Sequence, residues 1–248
     1  MSNLTEHLSP FETDSLPPLK KEPVNTANYP VLFFDIDGTL LYTRGGRRAI
    51  SRAFAELFGV EEAFSDVSFA GQTDPLIVGR VFTENSIEHS EENFNHLYDL
   101  YYRYLAEEIK ADIRPFNGIP SLLSKLQEMP LHLGIITGNN FTGARIKLTA
   151  ADLHHFFEGG AYAEDGPQRT KIAKAGLEKF GVRAKDALMI GDSIHDIRVG
   201  RENGMLTLGL PTGVTPVNDL KDENPDYLFE KLNEDNLLMV LKNHNFLT

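Results

Sequence analysis

The sequence predicts an α/β protein in which a parallel sheet core is covered by helices and interrupted once by an all-helical segment. Short apolar strands alternate with helical patterns after Pro115, and such alternation implies right-handed crossovers between parallel strands. The continuous apolar run at Val31–Phe34 is typical of a strand buried on both faces. Between these two regions the periodicity is helical only, which predicts the insert.

Length and composition exclude several classes of protein. The chain has 248 residues, 41% hydrophobic and 24% charged, which excludes disordered, collagenous and coiled-coil proteins and fits one large domain or two unequal ones. A formal net charge of −12 repels a nucleic-acid backbone, so we expect no nucleic-acid partner. The chain has no cysteine, which removes disulfides, thiolate zinc sites and cysteine nucleophiles.

The sequence gives no indication of a membrane partner. Its start has neither the basic nor the apolar region of a signal peptide, and no stretch approaches the roughly 20 apolar residues that span a bilayer. We therefore expect a cytoplasmic enzyme or binding protein. The oligomeric state is left open.

Before Pro115 the sequence predicts an arm and three or four helices. Residues 1–28 contain four prolines and no periodicity, which indicates an N-terminal arm, either extended or flexible. Two apolar stripes with helical spacing lie between residues 47 and 112. Asp74, followed by Pro75, is predicted to cap one helix, and Ser90 to cap the longest.

After Pro115 strands and helices alternate to the end of the chain. The predicted helices are 120–129, 142–150, 170–180, 194–203 and 236–242, and the predicted strands are 131–137, 161–162, 187–190, 206–208 and 227–229.

Three of the predicted strands end in polar clusters. They are Asp35-Ile36-Asp37-Gly38-Thr39, Thr137-Gly138-Asn139 and Gly191-Asp192-Ser193-Ile194-His195-Asp196. Parallel sheets bind ligands outside the carboxyl ends of their strands, so the clusters should converge. Each cluster also has a purely structural explanation. Asp37-Gly38 could form a turn, Thr137 could simply end a strand, and Asp192 could cap a helix. Three clusters in this order favour a catalytic site.

Four aspartates, at positions 35, 37, 192 and 196, would repel one another unless a cation neutralised them. An oxygen-only donor set suits Mg²⁺, which binds one or two carboxylates together with a substrate phosphate. One carboxylate could then attack phosphorus, and a second could exchange protons with the leaving group and with water.

With these motifs the chain resembles the haloacid dehalogenase-like hydrolase superfamily over residues 30–210, nearest to its phosphoglycolate-phosphatase-like phosphatases. The resemblance implies that Asp35 is the nucleophile, Asp37 the general acid/base, and Thr137 a hydrogen-bond donor to the phosphoryl group. It further implies a Mg²⁺ cofactor held by Asp35, the Asp37 carbonyl and Asp192, with support from Asp196. Gly38, Thr39, Gly138 and Asn139 are assigned to substrate binding.

The family's third motif supplies a basic residue that neutralises nucleophile and phosphate, and here the usual Lys-Pro pair is missing. Spacing from Phe180 favours Arg169, and residue type favours Lys171. Lys147, on the helix after Thr137, is a third alternative.

The resemblance also implies a Rossmann-like catalytic core at residues 29–42 and 115–248, with a helical cap at 43–114. Residues 71–75 resemble the cap segment that faces the active site, so Gln72 and Thr73 are assigned to the substrate. Arg44, Arg47 and Arg48 could meet an anionic substrate or form a solvated face. The cap tyrosines 98, 101, 102 and 104 are expected to pack rather than stack on a ligand, and His195 to be a bystander.

These assignments predict a Mg²⁺-dependent phosphatase that hydrolyses a small phosphorylated metabolite through an aspartyl-phosphate on Asp35. The alternatives are a phosphosugar mutase of the same superfamily and a non-catalytic binding module. The physiological substrate is left open.

Overall fold

The computed structural model describes residues 16–20, 29–64 and 72–247. Its strands are β1 (Val31–Phe34), β2 (Leu41–Tyr42), β3 (Arg114–Pro115), β4 (His132–Ile136), β5 (Gly159–Ala161), β6 (Ala187–Gly191), β7 (Leu206–Gly209) and β8 (Tyr227–Leu228). Its α-helices are α1 (Gly45–Phe58), α2 (Asp74–Glu84), α3 (Glu91–Glu108), α4 (Ile119–Leu126), α5 (Phe141–Ala150), α6 (Arg169–Phe180), α7 (Ile194–Glu202), α8 (Val217–Asp222) and α9 (Glu234–Asn243).

Six strands form one parallel sheet in the order β5-β4-β1-β6-β7-β8. Strand β1 lies at the centre, where Val31 pairs with His132 on one side and Ala187 on the other. All four residues of β1 are fully buried, because helices cover both faces of the sheet. The predicted α/β fold is confirmed.

Each element predicted after Pro115 is present, with ends that differ by a few residues. Helix α4 ends at Leu126, before the predicted 129, because the chain then tightens into a turn in which the Glu128 and Met129 N–H groups donate to carbonyls three residues earlier. The sequence patterns missed α8, since Leu220 is its only buried residue and a single apolar side chain gives no periodicity.

Helices α1, α2 and α3 lie between β2 and β3, which pair antiparallel and carry the chain out of the core and back. We call residues 43–113 the helical insert. Its helices bury their own apolar cluster, in which Phe54, Phe82 and Leu97 are fully buried. The insert therefore has its own hydrophobic core, separate from the packing on the sheet.

The two predicted helix caps of the insert have different outcomes. Ser90 caps α3, since its hydroxyl accepts a hydrogen bond from the Asn93 backbone N–H at 3.2 Å. The prediction for Asp74 was wrong by one residue: Thr73 is the extended N-cap, and Asp74 is the first helical residue. The Asp74 carboxylate is thereby available for a contact outside its own helix.

Part of the predicted arm packs against the protein. Leu19 is buried in the main core, and Leu16 packs against the apolar cluster of the insert. The Arg145 side chain on α5 donates to the Pro17 carbonyl at 2.8 Å. Residues 16–20 thus form a packed arm, while the rest of the predicted arm, 1–15 and 21–28, lies outside the described residues.

Within the described residues, no helix combines the length and apolar character that crossing a membrane requires.

Candidate active site

A cavity of about 980 Å³ lies between the sheet and the helical insert. The carboxyl ends of β1, β4 and β6 form its floor, where Asp35, Asp37, Thr137 and Asp192 all line it. The structure therefore brings the three polar clusters of the sequence to one place. The cause is topological, because neighbouring parallel strands end at the same edge of the sheet.

Asp35 lies at the bottom of this cavity and is only 6% exposed. The Arg169 guanidinium donates from Nη2 to Asp35 Oδ1 at 3.0 Å and to Asp196 Oδ1 at 2.6 Å. The pKa of Asp35 is raised to about 7, first by burial and then by the Asp196 charge, with Arg169 acting in the opposite direction. Arg169 is the cation that offsets the repulsion between these two buried carboxylates.

Asp35, Asp192 and Asp196 form a cluster that could hold a metal ion, since one carboxylate oxygen from each lies within 4.8 Å of the others. All three side chains are buried, and the donors are hard oxygen atoms, as Mg²⁺ prefers. Burial, followed by the Asp196 charge, raises the pKa of Asp192 well above its usual range. A divalent cation here would relieve that cost.

The helix-cap alternative for Asp192 was wrong, because the residue that caps α7 is Ser193. Its hydroxyl accepts from the Asp196 N–H at 3.3 Å, and Asp196 Oδ2 accepts from the Ser193 N–H at 3.0 Å. Asp192 instead accepts a hydrogen bond from the Thr39 hydroxyl at 3.1 Å. Asp196 is fully buried, and the capping box fixes its orientation.

Asp37 belongs to a second ionic group, which has Lys147 as its cation. Lys147 Nζ lies 2.7 Å from Asp37 Oδ2 and 2.7 Å from Asn139 Oδ1. Asn139 Nδ2 donates to Asp37 Oδ2 at 2.8 Å and to Thr137 Oγ1 at 2.9 Å. Both contacts on Asp37 use Oδ2, which leaves Oδ1 as the oxygen suited to exchange a proton.

Asp37-Gly38 does form the turn that the sequence offered as an alternative, and both residues also line the cavity. Gly38 has φ +86°, and its N–H donates to the Leu41 carbonyl at 2.9 Å. A Cβ at this position would lie 2.4 Å from Asp192 Oδ2, so the turn needs glycine for both conformation and space.

The three basic candidates of the sequence separate in space. Arg169 contacts Asp35 and Lys147 contacts Asp37, and both bases are buried. Lys171 is exposed and does not line the cavity, so its assignment as a catalytic residue was wrong. It lies two residues after Arg169 on α6, where the helical turn directs it away from the side that Arg169 occupies.

The insert supplies the wall opposite the carboxylates. Arg44, Arg47 and Gln72 line the cavity, whereas Thr73 is buried and is not among the lining residues. Arg48, although it borders the cavity, is paired with Glu108 and Asp112 at 2.9 Å each. That pairing joins α1 to the end of α3, so Arg48 makes a structural contact, and neither alternative for it, a substrate contact or a solvated face, describes it. Gly71 lies outside the described residues.

Other assigned residues have supporting positions. Thr39 is buried beneath Asp192, Gly138 and Asn139 line the cavity, and His195 is half-buried and is not among the lining residues. Tyr101 and Tyr104 are buried in the insert cluster, although Tyr101 also reaches the cavity edge. Tyr98 stacks on Tyr102 with ring centroids 5.8 Å apart. The tyrosines thus mainly pack within the insert.

Sequence reasoning missed two residues of the loop after β7. The Thr212 hydroxyl donates to the Gly38 carbonyl at 2.6 Å, and both Thr212 and Gly213 line the cavity. A Cβ on Gly213 would lie 1.7 Å from Asp192 Oδ2. Their place in the sequence could have identified them, because this loop also follows the carboxyl end of a predicted parallel strand.

Comparison with known proteins agrees with this geometry. The profile of the family described as haloacid dehalogenase-like hydrolase matches residues 32–210, most of the chain. The chain belongs to the haloacid dehalogenase-like hydrolase family. This places it among hydrolases with the fold and motifs described above.

Relatives in this family include two named phosphorus–oxygen hydrolases. A phosphoglycolate phosphatase from Agrobacterium fabrum is 26% identical over 207 residues, covering 81% of this chain and 88% of that protein. A pyrophosphatase PpaX from Listeria monocytogenes is 24% identical over 223 residues, covering 88% and 98%.

Solved structures of the haloacid dehalogenase-like hydrolases share the fold. A family member from Streptococcus pneumoniae aligns with a TM-score of 0.61 at 25% identity, covering 87% of this chain and 98% of that one. A Thermotoga maritima protein, provisionally described as a β-phosphoglucomutase, aligns with a TM-score of 0.59 at 18% identity, covering 86% and 99%. At that identity the second likeness supports the fold alone.

Proposed function

We propose that this haloacid dehalogenase-like hydrolase is a Mg²⁺-dependent phosphatase that acts on small organic phosphomonoesters through an aspartyl-phosphate on Asp35. The observation that carries the proposal is the shared cavity of Asp35, Asp37, Thr137 and Asp192. The helical insert, with its own core and its position across the cavity, would act as the cap that excludes water.

In the first step, an Asp35 carboxylate oxygen attacks phosphorus while the bond from phosphorus to the leaving-group oxygen breaks. The leaving oxygen takes a proton from Asp37, whose Oδ1 is not used by Lys147 or Asn139. Arg169 already contacts Asp35, and its Nε is buried without a hydrogen-bond partner among the described residues. A phosphoryl oxygen would satisfy that donor, which supports Arg169 as the neutralising base.

In the second step, water attacks the phosphorus of the aspartyl-phosphate and gives its proton to Asp37. The bond from phosphorus to the Asp35 oxygen breaks, which releases inorganic phosphate, restores Asp35 as a carboxylate and leaves Asp37 protonated as at the start. Asp35 and Asp192, supported by Asp196, would hold the Mg²⁺, whose charge keeps the nucleophile ionised and stabilises phosphoryl oxygens. Thr137, which lines the same floor, would donate a hydrogen bond to the phosphoryl group.

The side chains that the helical insert contributes to the cavity indicate the class of substrate. Arg44, the residue before α1, and Arg47 on α1 line the cavity, where a leaving group would lie. Guanidinium groups favour an anionic or strongly polar leaving group. The named relatives include hydrolases of phosphoglycolate and pyrophosphate, whose leaving groups carry negative charge.

The proposal is tested with purified full-length protein, a panel of phosphomonoesters, and phosphate release measured with and without Mg²⁺. Asp35→Asn keeps the size of the side chain and removes its nucleophilicity, so we expect a loss of roughly 10³-fold or more in kcat. Asp222→Asn, an exposed substitution on α8, is the matched control. Mg²⁺-dependent turnover that survives in D35N would contradict the mechanism.

The same panel separates the alternatives. A hexose 1-phosphate converted to an isomeric sugar phosphate, without free phosphate, would favour the mutase. Protein with no metal-dependent activity on any member would favour the binding module.

A further inference from the structure

Asp74 joins the helical insert to the loop that follows β4. Its backbone N–H donates to the Gly138 carbonyl at 2.8 Å, and its carboxylate Oδ2 accepts from the Asn140 backbone N–H at 2.9 Å. The two backbone segments are so close that a Cβ on Gly138 would lie 2.1 Å from the Gln72 carbonyl oxygen. The helical insert and the loop after β4 are therefore closely packed at this junction.

The Asp74 carboxylate accepts from the amide of a helix N-cap residue, as the N3 acid of a capping box does inside its own helix. Asn140 is the N-cap residue of α5, yet its own side chain makes no capping bond and donates instead to the Tyr102 hydroxyl at 3.1 Å. The first turn of α5 contains no acidic residue. The Phe141 N–H donates to Glu164 at 2.9 Å, so side chains from elsewhere satisfy both amides.

Helix α5 carries Lys147, which contacts Asp37 and Asn139 in the cavity. A carboxylate of the insert thus caps the helix that places a base on the proposed acid/base residue. We infer that Asp74 is a positioning residue, whose bond to the Asn140 N–H couples docking of the insert to the placement of Asn139 and Lys147. The inference rests on the proposed function only for its kinetic readout.

The test compares Asp74→Ala and Asp74→Asn with wild type, with Glu84→Ala as a matched control that removes an exposed acid from the same helix. Hydrogen exchange of the Asn140 and Phe141 amides reports the junction, and steady-state kinetics reports the site. Loss of an N-cap bond corresponds to about a 5–10-fold change in a local equilibrium. We expect D74A to speed exchange at Asn140 and to lower kcat per folded enzyme by about that factor.

Asp74→Asn should stay within about twofold of wild type, because its amide oxygen can still accept the Asn140 N–H. A purely structural role would lower the fraction of folded enzyme and leave kcat per folded enzyme unchanged. Unchanged exchange at Asn140 or unchanged kcat per folded enzyme in D74A would overturn the inference, as would equal effects in E84A.

A second variant covers the case in which D74A does not fold. Gly138→Ala places a Cβ against the Gln72 carbonyl, so it should open the same junction and speed exchange at Asn140; unchanged exchange there would also overturn the inference. If wild type lacks phosphatase activity, the proposed function fails, while the exchange comparison still decides the role of Asp74.

Discussion

Lys147 Nζ and Asp37 Oδ2, from α5 and from the end of β1, form a 2.7 Å ion pair at the floor of the cavity. Only 6% of the Lys147 side chain is exposed, compared with 39% for Asp37. A buried cation is costly without its partner, so this lysine is committed to the carboxylate. Lys147 thus adds a second buried cation to the floor of the cavity, besides Arg169.

Removal of the Lys147 charge should therefore affect catalysis. We expect Lys147→Met to lower kcat by about 10²-fold or more, since both Asp37 and Asn139 lose a charged partner. Lys171→Met is the control, because Lys171 is exposed and outside the cavity. Comparable losses of phosphate release in the two variants would contradict the separation of roles described above.

Substitution of Arg169 should reduce stability in a manner that depends on metal. Arg169→Gln leaves buried Asp35 and Asp196 without their cation, which costs about 3 kcal/mol or more in a buried pair. Mg²⁺ would neutralise the same carboxylates, so the loss of melting temperature should shrink when Mg²⁺ replaces EDTA. Arg183→Gln, an exposed pair with Asp186, serves as the comparison. A deficit of equal size in both buffers would count against a metal at this cluster.

The stability of the protein should depend on pH through Asp74. Burial raises the pKa of Asp74 to about 6 from the ordinary 3.8, with the Lys147 charge and the Asn140 N–H lowering it and the charges of Asp37 and Glu164 raising it. Its contribution to stability is full below about pH 4 and is lost as the pH rises through 6, because folding disfavours the ionised form. Thermal melts should show Asp74→Asn gaining on wild type between about pH 4 and pH 6, with a constant difference at higher pH. A constant difference across that lower window as well would be inconsistent with the raised pKa.

Substitution of Gly213 should weaken metal binding. Gly213→Ala places a Cβ 1.7 Å from Asp192 Oδ2, so the carboxylate must move away from the cluster. We expect the Mg²⁺ concentration for half-maximal thermal stabilisation to rise by about tenfold, the cost of roughly 1.4 kcal/mol of lost binding. Gly79→Ala, at a helical site with room for a methyl group, is the control. An unchanged Mg²⁺ titration in G213A would show that Asp192 does not need this close approach.

The sequence alone predicted the α/β fold and the convergence of three strand ends, because buried parallel strands leave a continuous apolar run that ends in polar residues. It also limited the basic candidates to three, yet it could not choose among them. Arg169 and Lys171 differ by two positions on one helix, and only the packed helix shows which of them faces Asp35. Boundaries set by turns, such as the end of α4, were less certain than the elements themselves.

The tertiary structure decided the contacts between distant segments. Asp74 has the local pattern of a helix cap, but it caps α5 instead of its own helix. Thr212 and Gly213 carry no motif, and their role comes from lying against Gly38 and Asp192. Sequence patterns indicate the caps and the apolar face of a single helix or strand. The partner of a charged side chain depends on which elements pack together, and periodicity along one chain does not contain that information.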